Sequence, residues 1–325
     1  MEVTRRRILE VGMMSAFMTG VPLRGAFAAP PINLGFQITT WGAVGMVAEN
    51  LKTFKKFNAP VAAHQFSSGV AVRDALVAGR VDIGVTSVTT FIVGVDKGNL
   101  KAIDTVAYSG ASNSIIVAKN SPIKSVADLR GKKLATQFGT GSDYTLRTKV
   151  LAKYGLNSSN VELVNVKYAD QVAALASGSV DAFAGTEPYP AVAEARGIAR
   201  QLISFEKFDL VPVMLAIRGP VLEKRRAEVV QFMKGWLAAV EVFQKNPSLA
   251  AKIVQGVFKA NGHDLPEAVV ATALSRLGVD PNFKPELVPY LQHQAEVLVG
   301  KHRISKVPDW NNAIDRSILK DARKS

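Results

Sequence analysis

The sequence predicts an α/β protein of two lobes facing each other across a cleft, followed by a helical tail. Three observations carry this. Strand-like and helix-like segments alternate from residue 32 to residue 217, the mark of an α/β fold with mostly parallel sheets. The stretch Ala75-Leu76-Val77-Ala78-Gly79-Arg80-Val81-Asp82 is echoed by Ala174-Leu175-Ala176-Ser177-Gly178-Ser179-Val180-Asp181, both reading A-L-x-x-G-x-V-D. From Pro220 onward only helical spacing remains.

In each copy of the repeat a helix stops at a glycine and a strand starts two residues on. Glycine fits there because a helix often ends in a left-handed residue, which costs glycine no Cβ clash. The copies lie too far apart for a solenoid, whose period is roughly 20–50 residues. They mark two similar lobes, and a cleft between lobes is where small molecules bind.

In chain order, residues 32–38 read as a strand and 43–57 as a helix, then 61–66 as a strand and 70–78 as a helix. Residues 81–85 form a strand, 89–97 a helix, and 101–108 and 114–118 two more strands. Residues 126–129 make a short helical turn before a strand at 133–137 and a helix at 143–154. A strand at 161–165, a helix at 168–176, a strand at 180–184 and a helix at 188–196 follow, then strands at 199–204 and 211–217. In the tail, Val229, Phe232, Met233, Trp236, Leu237 and Val240 recur at helical spacing within 223–244, and Asn246-Pro247 ends that run. Further helices are expected at 248–261, 265–277, 285–300 and 310–321, packed on the first lobe. Lobe one is then 30–115 plus 217–325, and lobe two 116–212. Crossings at 114–118 and 211–217 would form a two-segment hinge.

At 325 residues, 48% of them hydrophobic and 21% charged, the chain suits one or two globular domains. It has no cysteine, which excludes disulfides, thiolate metal sites, cysteine nucleophiles and a lipid-anchored amino-terminal cysteine. Thr4-Arg5-Arg6-Arg7-Ile8-Leu9, a short apolar run and Ala26-Phe27-Ala28 read as an export signal spanning 1–28. The paired arginines resemble a twin-arginine signal, with an ordinary Sec signal bearing a basic head as the alternative, and a periplasmic location is expected either way. The net charge is +13. The signal holds four arginines against two glutamates, which leaves +11 on the rest. The basic residues are scattered, with no aromatic-interleaved stripe or recognition helix, so nucleic acid is not an expected partner.

Ligands of open α/β sheets sit beyond the carboxyl ends of the strands. There this chain is rich in hydroxyls and glycine: Thr39, Thr40 and Trp41; Ser67 and Gly69; Ser87 and Thr89; Thr140, Gly141 and Ser142; Glu187 and Tyr189. Each loop opens a helix, whose first N–H groups lack intrahelical partners and carry the positive end of the dipole. Several such termini suit a small anion without any charged side chain. Ser and Thr also cap helices in their own right, and both readings apply to each loop. Trp41 and Tyr189 are candidates either to cover a ligand or to pack in the core, and Glu187 either to meet a ligand amine or to serve as an N-terminal helix acid next to Pro188. The Gly139-Thr140-Gly141-Ser142 loop lacks the G-K-[ST] ending of a nucleotide loop. His64, His263, His293 and His302 show neither zinc-ligand spacing nor a neighbouring nucleophile motif, so no enzyme activity, metal or cofactor is expected.

Ile115-Ile116-Val117-Ala118-Lys119 and the block Ser121-Pro122-Ile123-Lys124-Ser125-Val126-Ala127-Asp128-Leu129-Arg130-Gly131-Lys132-Lys133-Leu134-Ala135 resemble the interdomain region of ABC-transporter substrate-binding proteins, nearest to the nitrate/sulfonate/taurine-binding group. The repeat copies, Phe138-Gly139-Thr140-Gly141-Ser142, Glu187-Pro188-Tyr189 and Val307-Pro308-Asp309-Trp310 fall where that group has equivalents. The resemblance implies a type II periplasmic-binding fold, ligand contacts from the loops above, no catalysis, and delivery of a captured solute to a membrane permease. It implies a small organic anion, such as an alkanesulfonate, taurine or nitrate. A monomer is the simplest expectation. A thiamine-precursor heterocycle stacked on Trp41, or a ligand-sensing regulatory domain of the same fold, are the alternatives. A related pyrimidine-precursor synthase carries a cysteine-rich signature that this chain lacks.

Overall fold

The computed structural model describes residues 30–324, and the expected export signal lies outside them. Among the described residues, eleven strands run in chain order: β1 (Ile32–Gln37), β2 (Val61–Phe66), β3 (Ile83–Ser87), β4 (Leu100–Tyr108), β5 (Asn113–Ala118), β6 (Lys133–Thr136), β7 (Glu162–Asn165), β8 (Ala182–Thr186), β9 (Ala199–Ser204), β10 (Pro212–Arg218) and β11 (Gly278–Val279). They form a six-stranded sheet ordered β11-β4-β10-β3-β1-β2 and a five-stranded sheet ordered β7-β6-β8-β5-β9.

The helices that matter below are α1 (Ala43–Asn50), α2 (Gly69–Val77), α3 (Val88–Gly98), α4 (Gly141–Thr145), α5 (Leu151–Lys153), α6 (Tyr168–Ala176) and α7 (Tyr189–Ala195). In the tail they are α8 (Gly219–Lys224), α9 (Arg226–Lys245), α10 (Pro247–Ala260), α11 (Glu267–Ser275), α12 (Leu287–Gly300), α13 (Trp310–Ala313) and α14 (Ser317–Lys324). The tail covers both faces of the first sheet. Phe232, Trp236 and Phe258 pack with Phe36 and Ile83 on one face, and Leu287, Leu291 and Trp310 with Leu76 and Phe91 on the other. The second sheet is sandwiched between Leu146, Val150 and Leu151 on one side and Tyr168, Val172 and Tyr189 on the other.

The two repeat copies occupy equivalent places. Gly79 and Gly178 both have φ +74°, the left-handed region that glycine enters without strain. Val81 and Val180 are buried. Asp82 accepts from the Asn33 backbone N–H at 2.9 Å, and Asp181 from that of Lys133 at 2.8 Å. Each aspartate thus caps the start of the central parallel strand of its sheet, β1 or β6. The repeat is scaffold.

Several expectations require correction. The sheets are not mostly parallel: β10 runs antiparallel to β3 and β4, β11 to β4, and β5 to β8 and β9. β5 and β10 enter where the chain changes sheets, and direction leaves no trace in an apolar run. The segments expected to cross between lobes are interior strands, since β5 pairs on both edges within the second sheet and β10 on both edges within the first. The passages between sheets are the short stretches 109–112 and 205–211. The tail is not purely helical, because β11 extends the first sheet. The helix expected at 43–57 breaks at Lys52, φ 52°, so that Phe54 can turn inward and stack on Phe232 at 4.8 Å. The helix expected at 310–321 splits because Asp315 accepts from the N–H groups of Ser317 and Ile318 and starts α14.

Asp104 on β4 is fully buried. Burial pushes its carboxyl well above the ordinary value of 3.8, and Arg323 offsets only part of that rise. Between 3.8 and the raised value the unfolded chain has lost this proton and the folded chain keeps it. This group therefore makes stability fall as pH rises through that window. Asp104→Asn should flatten that slope in chemical denaturation across pH, with the variant gaining relative to the parent as pH rises.

Candidate ligand-binding site

The carboxyl ends of the parallel strands in the two sheets, with the loops that follow them, line a cavity. From the first sheet it is lined by Gln37 at the end of β1, Thr39 and Trp41 after it, Gly69 and Val70 at the start of α2, and Ser87 and Thr90 at the start of α3. From the second come Thr140, which precedes α4, and Tyr168, which opens α6. No carboxylate or cation lines it. The free interior is about 10 Å³, room for roughly one water. That is too small for an organic anion, so admitting one requires the walls to move apart.

The hydroxyls divide into two kinds. Ser87 caps α3 by accepting from the Thr90 N–H at 3.3 Å. Thr140 caps α4 by accepting from the Asp143 N–H at 3.2 Å, and donates to the Gln137 carbonyl at 2.8 Å. These two serve the fold as well as the cavity. Gln37 and Thr39 do not: they are 1% and 2% exposed, and neither the Gln37 amide nor the Thr39 hydroxyl has a hydrogen-bond partner. Orphaned buried donors cost about 1–3 kcal/mol each. Gly69 and Val70 add the first N–H groups of α2, which have no intrahelical acceptor. Burial pushes the Tyr168 phenol up to about 12, so it stays a neutral donor at any physiological pH.

Of the residues expected from sequence, the structure brings Thr39, Trp41, Gly69, Ser87 and Thr140 to the cavity wall. Trp41 is also anchored by its indole N–H, which donates to Ser112 at 3.2 Å. Gly141 sits against the first sheet's loops: a Cβ built there would lie 2.8 Å from the Ser87 Cβ. The others lie off the wall. Ser67 is exposed, and its neighbour Ser68 caps α2 instead. The Thr89 hydroxyl donates to Gln294 at 3.2 Å. Ser142 donates to the Asn113 side chain, and Thr40 donates to the Glu187 carbonyl across the cleft at 3.2 Å. Tyr189 stacks behind Tyr168, with ring centres 6.4 Å apart.

Glu187, a candidate to meet a ligand amine, is committed elsewhere. It is 1% exposed and pairs with Arg276 of the tail at 2.5 Å, while its other oxygen accepts from the Ala191 N–H at 3.1 Å. Burial pushes its carboxyl up, and Arg276 offsets part of the rise. Arg276 also reaches Glu194 at 3.3 Å, so the guanidinium ties the tail to the second lobe. A second tie centres on Asp209. It accepts from Thr145 at 2.6 Å and from Tyr290 of α12 at 2.8 Å, and pairs with Lys149 at 3.0 Å.

Gln37, Val70, Thr90 and Tyr168 line the cavity without having been singled out from sequence. Gln37 carried one signal, a polar residue closing a strand just after the apolar Leu34-Gly35-Phe36.

With the fold and cavity in place, the chain belongs to the NMT1-like family, whose model matches residues 25–257. It is 28% identical over 235 residues to a putative aliphatic sulfonates-binding protein of Escherichia coli, covering 72% of each chain. The alkanesulfonate-binding protein SsuA of Xanthomonas axonopodis pv. citri, solved bound to MOPS, has the same fold, with TM-score 0.77 and 23% identity over 88% of this chain and 98% of that one. So does the periplasmic nitrate-binding protein NrtA of Synechocystis, with TM-score 0.71 and 16% identity over 90% of this chain and 88% of that one.

Proposed function

We propose that this chain is a periplasmic solute-binding protein that captures a small organic anion, an alkanesulfonate foremost, and delivers it to an ABC-type permease. The observation that carries this is the unpartnered, buried pair Gln37 and Thr39 beside the first N–H groups of α2, in a cavity without a carboxylate. Neutral donors held in place suit a sulfonate, whose oxygens only accept. The sulfonate-binding name of the Escherichia coli relative points the same way. The lobes would move as two bodies, broadly residues 30–115 with 217–325 and residues 116–212, flexing at 109–112 and 205–211. Hinged closure about a ligand is an established repertoire for this architecture. Closure on a solute asks for no catalytic step, cofactor or second subunit. The arginine-rich residues 1–28 would export the chain by the twin-arginine route.

Isothermal calorimetry on the chain from residue 29 tests the assignment with ethanesulfonate, taurine, nitrate and a hydroxymethylpyrimidine. A sulfonate should bind at about micromolar Kd, roughly 8 kcal/mol. Binding of the pyrimidine with no response to any anion would replace this reading with the heterocycle one.

A further inference from the structure

A second pocket, of about 300 Å³, opens beside the central cavity, and Thr140 lines both. Its wall is apolar on one side, with Val93, Val297 and Leu298, and carries the Phe138 ring. Phe138 is 40% exposed, and the Arg147 guanidinium sits 4.5 Å from its ring centre. Four cations line the pocket, Arg73, Arg147, Lys301 and Arg303, against the single carboxylate of Asp143. Arg147 pairs with Asp143, and Arg73 with Asp74. Lys301 and Arg303 make no ion pair among the described residues.

Lys301 and Arg303 follow the C-terminus of α12, where cations offset the helix dipole. That accounts for their sign. It does not account for cations from α2, from the helical run after α4 and from the end of α12 meeting around one pocket that shares Thr140 with the cavity. Resting on the sulfonate reading above, we propose that the outer pocket is a second anion subsite. The ligand class it defines is a sulfonate with a second anionic group on a short apolar body. The head would meet Gln37 and Thr39, the body Phe138 and the apolar wall, and the far carboxylate or sulfonate Lys301 and Arg303.

The test is calorimetry at low ionic strength with matched pairs of increasing length: methanesulfonate and sulfoacetate, ethanesulfonate and 3-sulfopropionate, benzenesulfonate and 4-sulfobenzoate. In the wild-type chain at least one dianion should bind about fivefold or more tighter than its partner, as charge-assisted contacts at a half-open site allow. Added salt should shrink that advantage. In the double variant Lys301→Gln, Arg303→Gln the advantage should vanish while the monoanions bind as before. Equal affinities in every pair, or an advantage that survives the double variant, would overturn the subsite and leave the sulfonate reading standing. Failure of every compound in both series to bind would overturn both.

Discussion

Gly141→Val should cut ligand affinity by about a hundredfold, and Gly141→Ala by about tenfold. The reason is contact across the cleft. A Cβ at position 141 would meet the Ser87 Cβ at 2.8 Å, its Oγ at 3.3 Å and the Trp41 ring at 3.5 Å. Ser87 cannot turn aside without giving up its cap on α3, and Trp41 is 3% exposed and held by Ser112. The remaining way to relieve the clash is to part the lobes. Overpacking of this kind costs about 1–3 kcal/mol, and each 1.4 kcal/mol is tenfold in affinity. In the open form the added methyls meet nothing across the cleft, so the circular dichroism spectrum should not change. Calorimetry with ethanesulfonate reads the effect. Undiminished affinity in the valine variant would mean that ligand is held without this approach.

Gln37→Leu and Thr39→Val should each stabilise the ligand-free chain and abolish or strongly weaken capture. Both side chains are buried and unpartnered. Replacing an unsatisfied buried polar group by an apolar one of similar shape removes its desolvation penalty, about 1–3 kcal/mol. The same change removes a donor from the anion. Thermal unfolding should therefore show a raised midpoint without ligand and little further rise when ethanesulfonate is added, because the ligand-linked gain depends on binding. A lowered midpoint in the ligand-free variants would show that these groups are already satisfied in the free protein. Stability and function pull in opposite directions at these two positions, as is common where binding needs preformed donors.

Much of this arrangement was legible in the sequence, and the misses have physical causes. The A-L-x-x-G-x-V-D repeat located equivalent helix-to-strand joints, because a positive-φ glycine and a strand-capping aspartate are local requirements. Hydroxyls directly after strands led to Thr39, Ser87 and Thr140, since strand ends point at the cleft. Gln37 lies inside a strand, and Thr90 one turn into a helix. Their facing depends on sheet twist and helix phase, which a list of loop residues does not contain. Ser67 and Ser68 differ by one position in the bend after β2, and the start of α2 at Gly69 makes Ser68 its cap and leaves Ser67 in solvent. Glu187 left two readings open, and its partner Arg276 was not legible because it comes 89 positions later and from the tail. Strand direction was misread for a similar reason: β5 and β10 are apolar runs whose orientation is set by where the chain crosses between sheets.

Closure of the two lobes on an anion is the central claim, and a distance measurement tests it most directly. The chain has no native cysteine, so Lys56→Cys and Lys124→Cys, both at exposed positions and one beside each sheet, accept a fluorescent donor and acceptor cleanly. Titrating ethanesulfonate should move transfer efficiency in one saturable step, with the same midpoint as calorimetry, and the Gly141→Val background should suppress that step. Binding detected by calorimetry with no change in transfer efficiency at any concentration would contradict closure as the mechanism of capture.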